Sequence, residues 1–262
     1  MKSIRTVIAT EYVTPLREGG SLPAIVEAND DGTYVAKFRG AGQGVKALVA
    51  ELVSGEIARL LGLRVPEIVF VELDERMAKT EPDPEIQDLL RKSTGLNLAL
   101  DYLPGSVTFD PLVERAAAVA SQPRLASSVV WFDAFVTNVD RTAKNTNLLL
   151  WHRELWLIDH GATLIFHHDM NGSAERAKSP FAHVKDHVLL QWASELREVD
   201  DALTPLLTAD ALHGVMQHVP DAWLADATRD AYVDYFLRRL EGPRAWVDKA
   251  VEEAARARTA RV

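Results

Sequence analysis

The sequence predicts an α+β fold in which strands come first and helices last. Three observations predict it. The first forty residues carry short runs of β-branched and aromatic residues, broken by turn residues. Beyond about residue 100 the spacing becomes helical and stays so to the last residues. A single short strand pair, "NLLLW" and "LWLIDHG", interrupts the helical part.

The elements follow in order. "LPAIVEA" and "TYVAKF" read as a hairpin around "NDDG", with Gly32 expected to supply the positive φ of the turn. Alternation in the second strand puts Val35 and Lys37 on one face and Tyr34, Ala36 and Phe38 on the other. "RGAGQG" then opens into a helix, "VKALVAELVSGEIARLLGL", closed by Gly62 and followed by Pro66. "VPEIVFVEL" is a strand, and "KTEPDPEIQD" is a loop or a short capped helix. "GLNLALDYLPG" is a strand running into a Pro-Gly turn. "DPLVERAAAVA" and "LASSVVWFDAFVTNVD" read as helices, and Met170 to Pro180 reads as a loop. In the helical remainder, "YVDYFLRRLEGPRAWV" is an amphipathic helix, a turn and the start of another helix. Trp131, Trp156, Trp192, Trp223 and Trp246 are expected in the core.

Composition narrows the function classes. A chain of 262 residues makes one large domain or two small lobes. Its net charge of -9 argues against nucleic acid or an anionic membrane as partner. It has no cysteine, which removes disulfides, thiol chemistry and Cys-based zinc sites. "MKSIRTVIATEYV" has too short an apolar stretch for a signal peptide, and no run approaches the ~18 apolar residues of a membrane helix. The expected location is the cytoplasm.

The chemistry concentrates in "VTNVDRTAKNTNLLLW". Asp140 and Asn145 share a loop after an apolar helix, and the returning strand brings Asp159 towards them. Phosphoryl transfer uses this set: one Asp takes the proton of the attacking hydroxyl, while an Asn and a second Asp offer hard oxygens to Mg²⁺. Taken alone, the pattern is also what a polar turn presents. Upstream, however, Lys37 lies on a strand and the next helix carries Glu51 and Glu56. A strand Lys, a helix Glu, D-x4-N and D-x-G in that order make a four-part combination.

These residues resemble the HipA-like kinases, through "DRTAKNTNLLL", "LIDHGA" and "ELVSGEIARLLGLRVPE". "EPDPEIQDLL" and "GLNLALDYLPG" look like a short-chain bacterial group of that family, and the resemblance runs from about Val13 to His187. It implies a protein-kinase-like bilobal fold: a small β-rich lobe over residues 1–100 and a mostly helical lobe over 101–262. It also implies ATP and Mg²⁺. By this resemblance Lys37 contacts the nucleotide phosphates, Asp140 is the catalytic base, and Asn145 and Asp159 bind metal. Leu100 to Leu103, with Asp101 and Tyr102, faces the adenine. Gly19, Gly20 and Ser21 approach the phosphates, and Lys144 meets a phosphate. Helical periodicity turns Glu56 inward, whereas the resemblance selects Glu51 as the partner of Lys37; Glu51 is the expectation, because a helix over an active site has a second, polar inward edge.

The sequence departs from the broader kinase pattern. Thr142 stands where eukaryotic-type kinases place a Lys, and the glycine-rich "GAGQG" follows Lys37 instead of preceding it. That run is either a phosphate-binding helix start or a connector. The acceptor, a protein or a small molecule, has no recognisable signature. Two alternatives stand beside the kinase reading. One is a non-catalytic nucleotide-binding protein. The other is a metal-dependent phosphohydrolase built on His160, His167, His168, His183 and His187 with neighbouring acids.

Overall fold

The computed structural model describes residues 3–16, 22–42, 44–114, 121–224 and 227–259. Five strands close into a barrel in the order β1-β2-β3-β5-β4. They are β1 (Thr6–Pro15), β2 (Ala24–Ala28), β3 (Thr33–Lys37), β4 (Ile68–Leu73) and β5 (Gly95–Asp101). All neighbours are antiparallel except β1 and β4, whose parallel pairing closes the ring. Few strands leave a narrow interior. Small and β-branched residues fill it, among them Ala24, Val26, Ala36, Val69, Val71 and Ala99. Tyr34, Ala36 and Phe38 point into this core, so alternation turns Val35 and Lys37 out of it.

The β2–β3 turn differs from the expectation. Asp31, with φ 60°, takes the left-handed position that was assigned to Gly32. Gly32 is needed for space instead, since a Cβ there would lie 2.4 Å from the Tyr34 hydroxyl. That hydroxyl is fixed beside the turn, accepting from Arg5 Nη2 at 2.7 Å and donating to Asp30 Oδ2 at 2.8 Å.

Helix α1 (Gly44–Leu60) lies against the outward face of β5, and its Glu51 meets Lys37 of β3. Leu63 N–H bonds Ala58 O across Gly62, whose φ is 78°, which is the glycine-capped end expected here. The "KTEPDPEIQD" stretch spans the end of one helix, α2 (Glu75–Thr80), a short link, and the first part of a capped helix, α3 (Pro84–Lys92). Asp83 caps the second by accepting the Glu85 N–H at 2.9 Å, with Pro84 in the first turn.

The helix expected over "DPLVERAAAVA" falls largely on residues 115–120, outside the described residues. Helix α4 (Pro123–Phe135) stops five residues short of Asp140. Thr137 adopts φ 57°, and Asn138 N–H folds back onto Asp133 O, so a left-handed cap ends the helix before the polar run. The expected strand pair is β7 (Leu148–Trp151) with β8 (Glu154–Leu157), and a two-residue strand, β6 (Val107–Thr108), adds a third member.

Met170 to Pro180, read as loop, contains a single helical turn, α5 (Ser173–Ala177), anchored by the buried Ala177. Then come α6 (Leu196–Leu203), α7 (Ala209–Met216), α8 (Arg229–Leu240) and α9 (Ala245–Thr259). Trp131, Trp223 and Trp246 are buried, while Trp156 and Trp192 are only half-buried. One hydrophobic core runs from α1 through β7 and β8 into α4 and α6–α9. Among the described residues no helix is long and apolar enough to cross a membrane.

Candidate active site

Lys37 leaves the outward face of β3 and meets two carboxylates. Its Nζ lies 2.6 Å from Glu51 Oε2, on α1, and also pairs with Asp159 Oδ1. Glu51 is fully buried. Its burial alone would raise the carboxyl, but the Lys37 charge and the His160 bonds bring it well below the ordinary carboxylate range. Burial would likewise lower Lys37, and the two acids raise it above the ordinary lysine value. Glu56 turns elsewhere, to Arg59 at 3.5 Å, and burial raises its carboxyl.

Asp140 and Asn145 meet directly. Asn145 Nδ2 donates to Asp140 Oδ2 at 2.7 Å, and Asn147 Nδ2 donates to the same oxygen at 3.2 Å. The loop between them is tight: Thr142 N–H bonds Asn145 O at 2.9 Å, and Asn145 N–H bonds Thr142 Oγ1 at 3.3 Å. Ile158 N–H bonds Asn147 O at 3.1 Å, which ties the loop to the residue before Asp159. Asn147 and Asp159 both hold left-handed backbones, φ 47° and 55°. Such backbone is costly for a residue with a side chain and persists where its surroundings over-determine it.

A buried cluster supports the loop from beneath, and sequence reasoning missed it. Asp133 of α4 accepts from Arg141 Nε at 2.6 Å, Asn138 Nδ2 at 2.8 Å and His187 Nε2 at 2.8 Å. Arg141 Nη1 donates to Asn147 O and, at 3.4 Å, to Ile158 O. Leu189 N–H donates to His187 Nδ1 at 3.0 Å, so the imidazole proton sits on Nε2, facing Asp133. Burial alone would raise the Asp133 carboxyl; Arg141, His187 and Asn138 together hold it at about 2. The signal was present in "WFDAF": an Asp set among aromatic residues of an apolar helix needs a buried partner.

Asp101 and Tyr102 lie at the other end of the same strands. Asp101 pairs with Tyr34 across the sheet while Lys37 pairs with Leu98, three residues or about 10 Å along the strand. Leu100 and Leu103 are buried; Asp101 is half-buried and Tyr102 is exposed. The N–H groups of Asp101 and Tyr102 bond Glu67 O and Thr33 O. Lys144 is exposed on the loop between Asp140 and Asn145. Gly19, Gly20 and Ser21 lie outside the described residues. In "GAGQG", Gly40 is a packed connector: its N–H bonds Ser93 Oγ, and a Cβ would fall 2.6 Å from Lys92 Cβ.

The histidines point apart. His160 meets Glu51, His187 meets Asp133, and His167 meets the Tyr232 hydroxyl at 3.2 Å; His168 and His183 are exposed. Burial pushes His167 down to about 3. Among the described residues no three acid or imidazole side chains gather as a metal cage. A cation taken up with nucleotide phosphates needs only one or two protein oxygens. Asn145 keeps its carbonyl oxygen while its amide holds Asp140, and Asp159, its side chain 43% exposed, keeps the oxygen not used by Lys37. This donor set fits such an ion.

A family model described as HipA-like kinase matches residues 9–243. Among solved structures, a Helicobacter pylori proinflammatory kinase, CtkA, superposes with a TM-score of 0.60 at 13% identity, covering 96% of this chain and 98% of that one. A Golgi casein kinase, and the same kinase with Mn/ADP bound, reach TM-scores of 0.48 and 0.49 at 11% identity, covering 100% of this chain and 75% and 76% of theirs. No curated protein matches. The fold shared with the Helicobacter protein is protein-kinase-like: a small β-rich lobe and a mostly helical one.

Proposed function

The chain belongs to the HipA-like kinase family, and from that premise we propose that it is an ATP- and Mg²⁺-dependent phosphotransferase. One observation carries the reading. The Lys37–Glu51 ion pair reaches Asp159, and Asp159 follows directly on the strand end bonded to the Asp140–Asn147 loop. In this reading the groups that would hold phosphate and the group that would take a proton share one framework.

In this reading Asp140 accepts the proton of the attacking hydroxyl. The amides of Asn145 and Asn147 both hold its Oδ2, which orients the carboxylate and leaves Oδ1 to the acceptor. Lys37, oriented by Glu51, meets the nucleotide phosphates. Asn145 and Asp159 would hold Mg²⁺, whose chemistry here is to neutralise phosphate charge. Asp101 and Tyr102 border the adenine, about 10 Å along the sheet from Lys37. Gly19, Gly20, Ser21 and Lys144 are assigned to the phosphates. The two lobes divide near residue 100, with residues 1–100 on the nucleotide side and 101–262 carrying the loop. The acceptor is a hydroxyl of a protein or a small molecule, and the enzyme works in the cytoplasm, where ATP is available.

Thermal unfolding with ATP and Mg²⁺, followed by transfer of labelled γ-phosphate, tests this. Stabilisation together with transfer is expected. Stabilisation without transfer to any acceptor would make the chain a nucleotide-binding protein without catalysis, and no stabilisation would remove the reading altogether.

A further inference from the structure

Glu51 is held on both oxygens. Oε2 accepts from Lys37 and, at 3.0 Å, from the backbone N–H of His160, a bond that any residue but proline can give. Oε1 lies 3.2 Å from His160 Nδ1, a bond that needs this side chain. The imidazole is fully buried and stands edge-on to Phe132, with centroids 5.8 Å apart. Its Nε2 has no partner among the described residues. Facing an ionised carboxylate, Nδ1 carries the proton and donates.

The contact belongs to a seam. Lys46 Nζ donates to His167 O at 2.7 Å, and Ser54 Oγ shares a hydrogen bond of 2.7 Å with Thr163 Oγ1. Successive turns of α1 are thus stitched to the segment that begins at Asp159. Without the imidazole, Oε1 would be a buried carboxylate oxygen deprived of its donor, which is costly and lets the carboxylate turn.

We propose that His160 is a positioning residue: its Nδ1–H fixes the second oxygen of Glu51 and so sets Lys37 and Asp159 as one unit. The inference rests on the phosphotransferase reading for its consequence, but the bond itself does not depend on it.

Three variants test the idea. His160→Asn keeps an N–H near the Nδ1 position, His160→Gln moves it towards Nε2, and His160→Phe keeps the ring without a donor. The Phe and Gln variants are expected to lose about 10- to 100-fold in kcat, the worth of a charged hydrogen bond, with a smaller change in KM for ATP. The Asn variant is expected within about threefold of the parent. Should His160→Phe fail to fold, the Asn–Gln pair still decides. Phe turning over like the parent, or Asn as impaired as Gln, overturns the proposal.

Proton NMR of the nucleotide-free protein gives a readout apart from activity. An exchange-protected imidazole N–H distinct from that of His187 on Asp133 is expected, one that is absent in the Phe variant and shifted upfield in Glu51→Gln. Its absence from the parent overturns the proposal. If the parent shows this signal but transfers no phosphate, the phosphotransferase reading fails and the His160–Glu51 bond stands.

Discussion

Arg141 shows what a single residue contributes beneath the loop. Its side chain is fully buried, and it joins Asp133 to the carbonyls of Asn147 and Ile158. Arg141→Met leaves the Asp133 charge uncompensated, and removing one member of a buried pair costs about 3–5 kcal/mol. Chemical denaturation is expected to show that loss; a change below about 1 kcal/mol would mean the cluster bears little load. His167 makes a second test, through pH. Its folded pKa is pushed down to about 3 from 6.5, so the unfolded chain binds the proton first. Its contribution is complete above pH 6.5 and falls as the pH drops from there towards 3. His167→Phe is expected to flatten that part of the stability curve; an unchanged slope would assign it to other groups. The meeting of Asp140 with Asn145, and of Lys37 with a helix Glu, was legible from D-x4-N on one loop and from the order of a strand Lys and a helix Glu. Arg141 was not, because an Arg inside a polar run reads as solvated until the fold covers it.

Among the elements, α1 explains why a helical wheel misplaces its acid. Every residue from Leu48 to Ala58 is buried, so the helix has no solvent face over that span, and periodicity has nothing to report. The resemblance to the HipA-like kinases selected Glu51, and that is the residue beside Lys37. Strand alternation worked well at β3, where one face is core and the other holds Lys37. The turn before it was misread because Asp31 tolerates the left-handed position, while Gly32 answers to a side chain two residues on. Gly32→Ala is therefore expected to destabilise by about 1–3 kcal/mol through overpacking against Tyr34. A Tyr34→Phe background, which removes the hydroxyl, should relieve part of it; an equal loss in both backgrounds would point to the turn backbone instead. The early end of α4 was hidden for the same reason as the turn: Thr137, a β-branched residue, takes a backbone position that composition would give to glycine.

For the whole molecule, the order of strands and then helices made the α+β layout readable. The barrel was not readable, since its closure depends on β1 meeting β4 in parallel across some sixty residues of sequence. Nor was the continuity of the core, in which α1 packs with the helical part while the barrel keeps a core of its own. That continuity suits the proposed work: α1, which carries Glu51, and the elements flanking the Asp140–Asn145 loop are anchored in one packed mass, and Lys37 reaches it from the barrel through its bond to Glu51. The most direct measurement is phosphoryl transfer from ATP–Mg²⁺ by the parent and by Asp140→Asn, with nucleotide binding followed in both. The parent is expected to transfer and the variant to lose about 10²- to 10⁴-fold in kcat while binding nucleotide as before. Transfer that survives the substitution undiminished would contradict the assignment of Asp140 as the base and, with it, the account of the site.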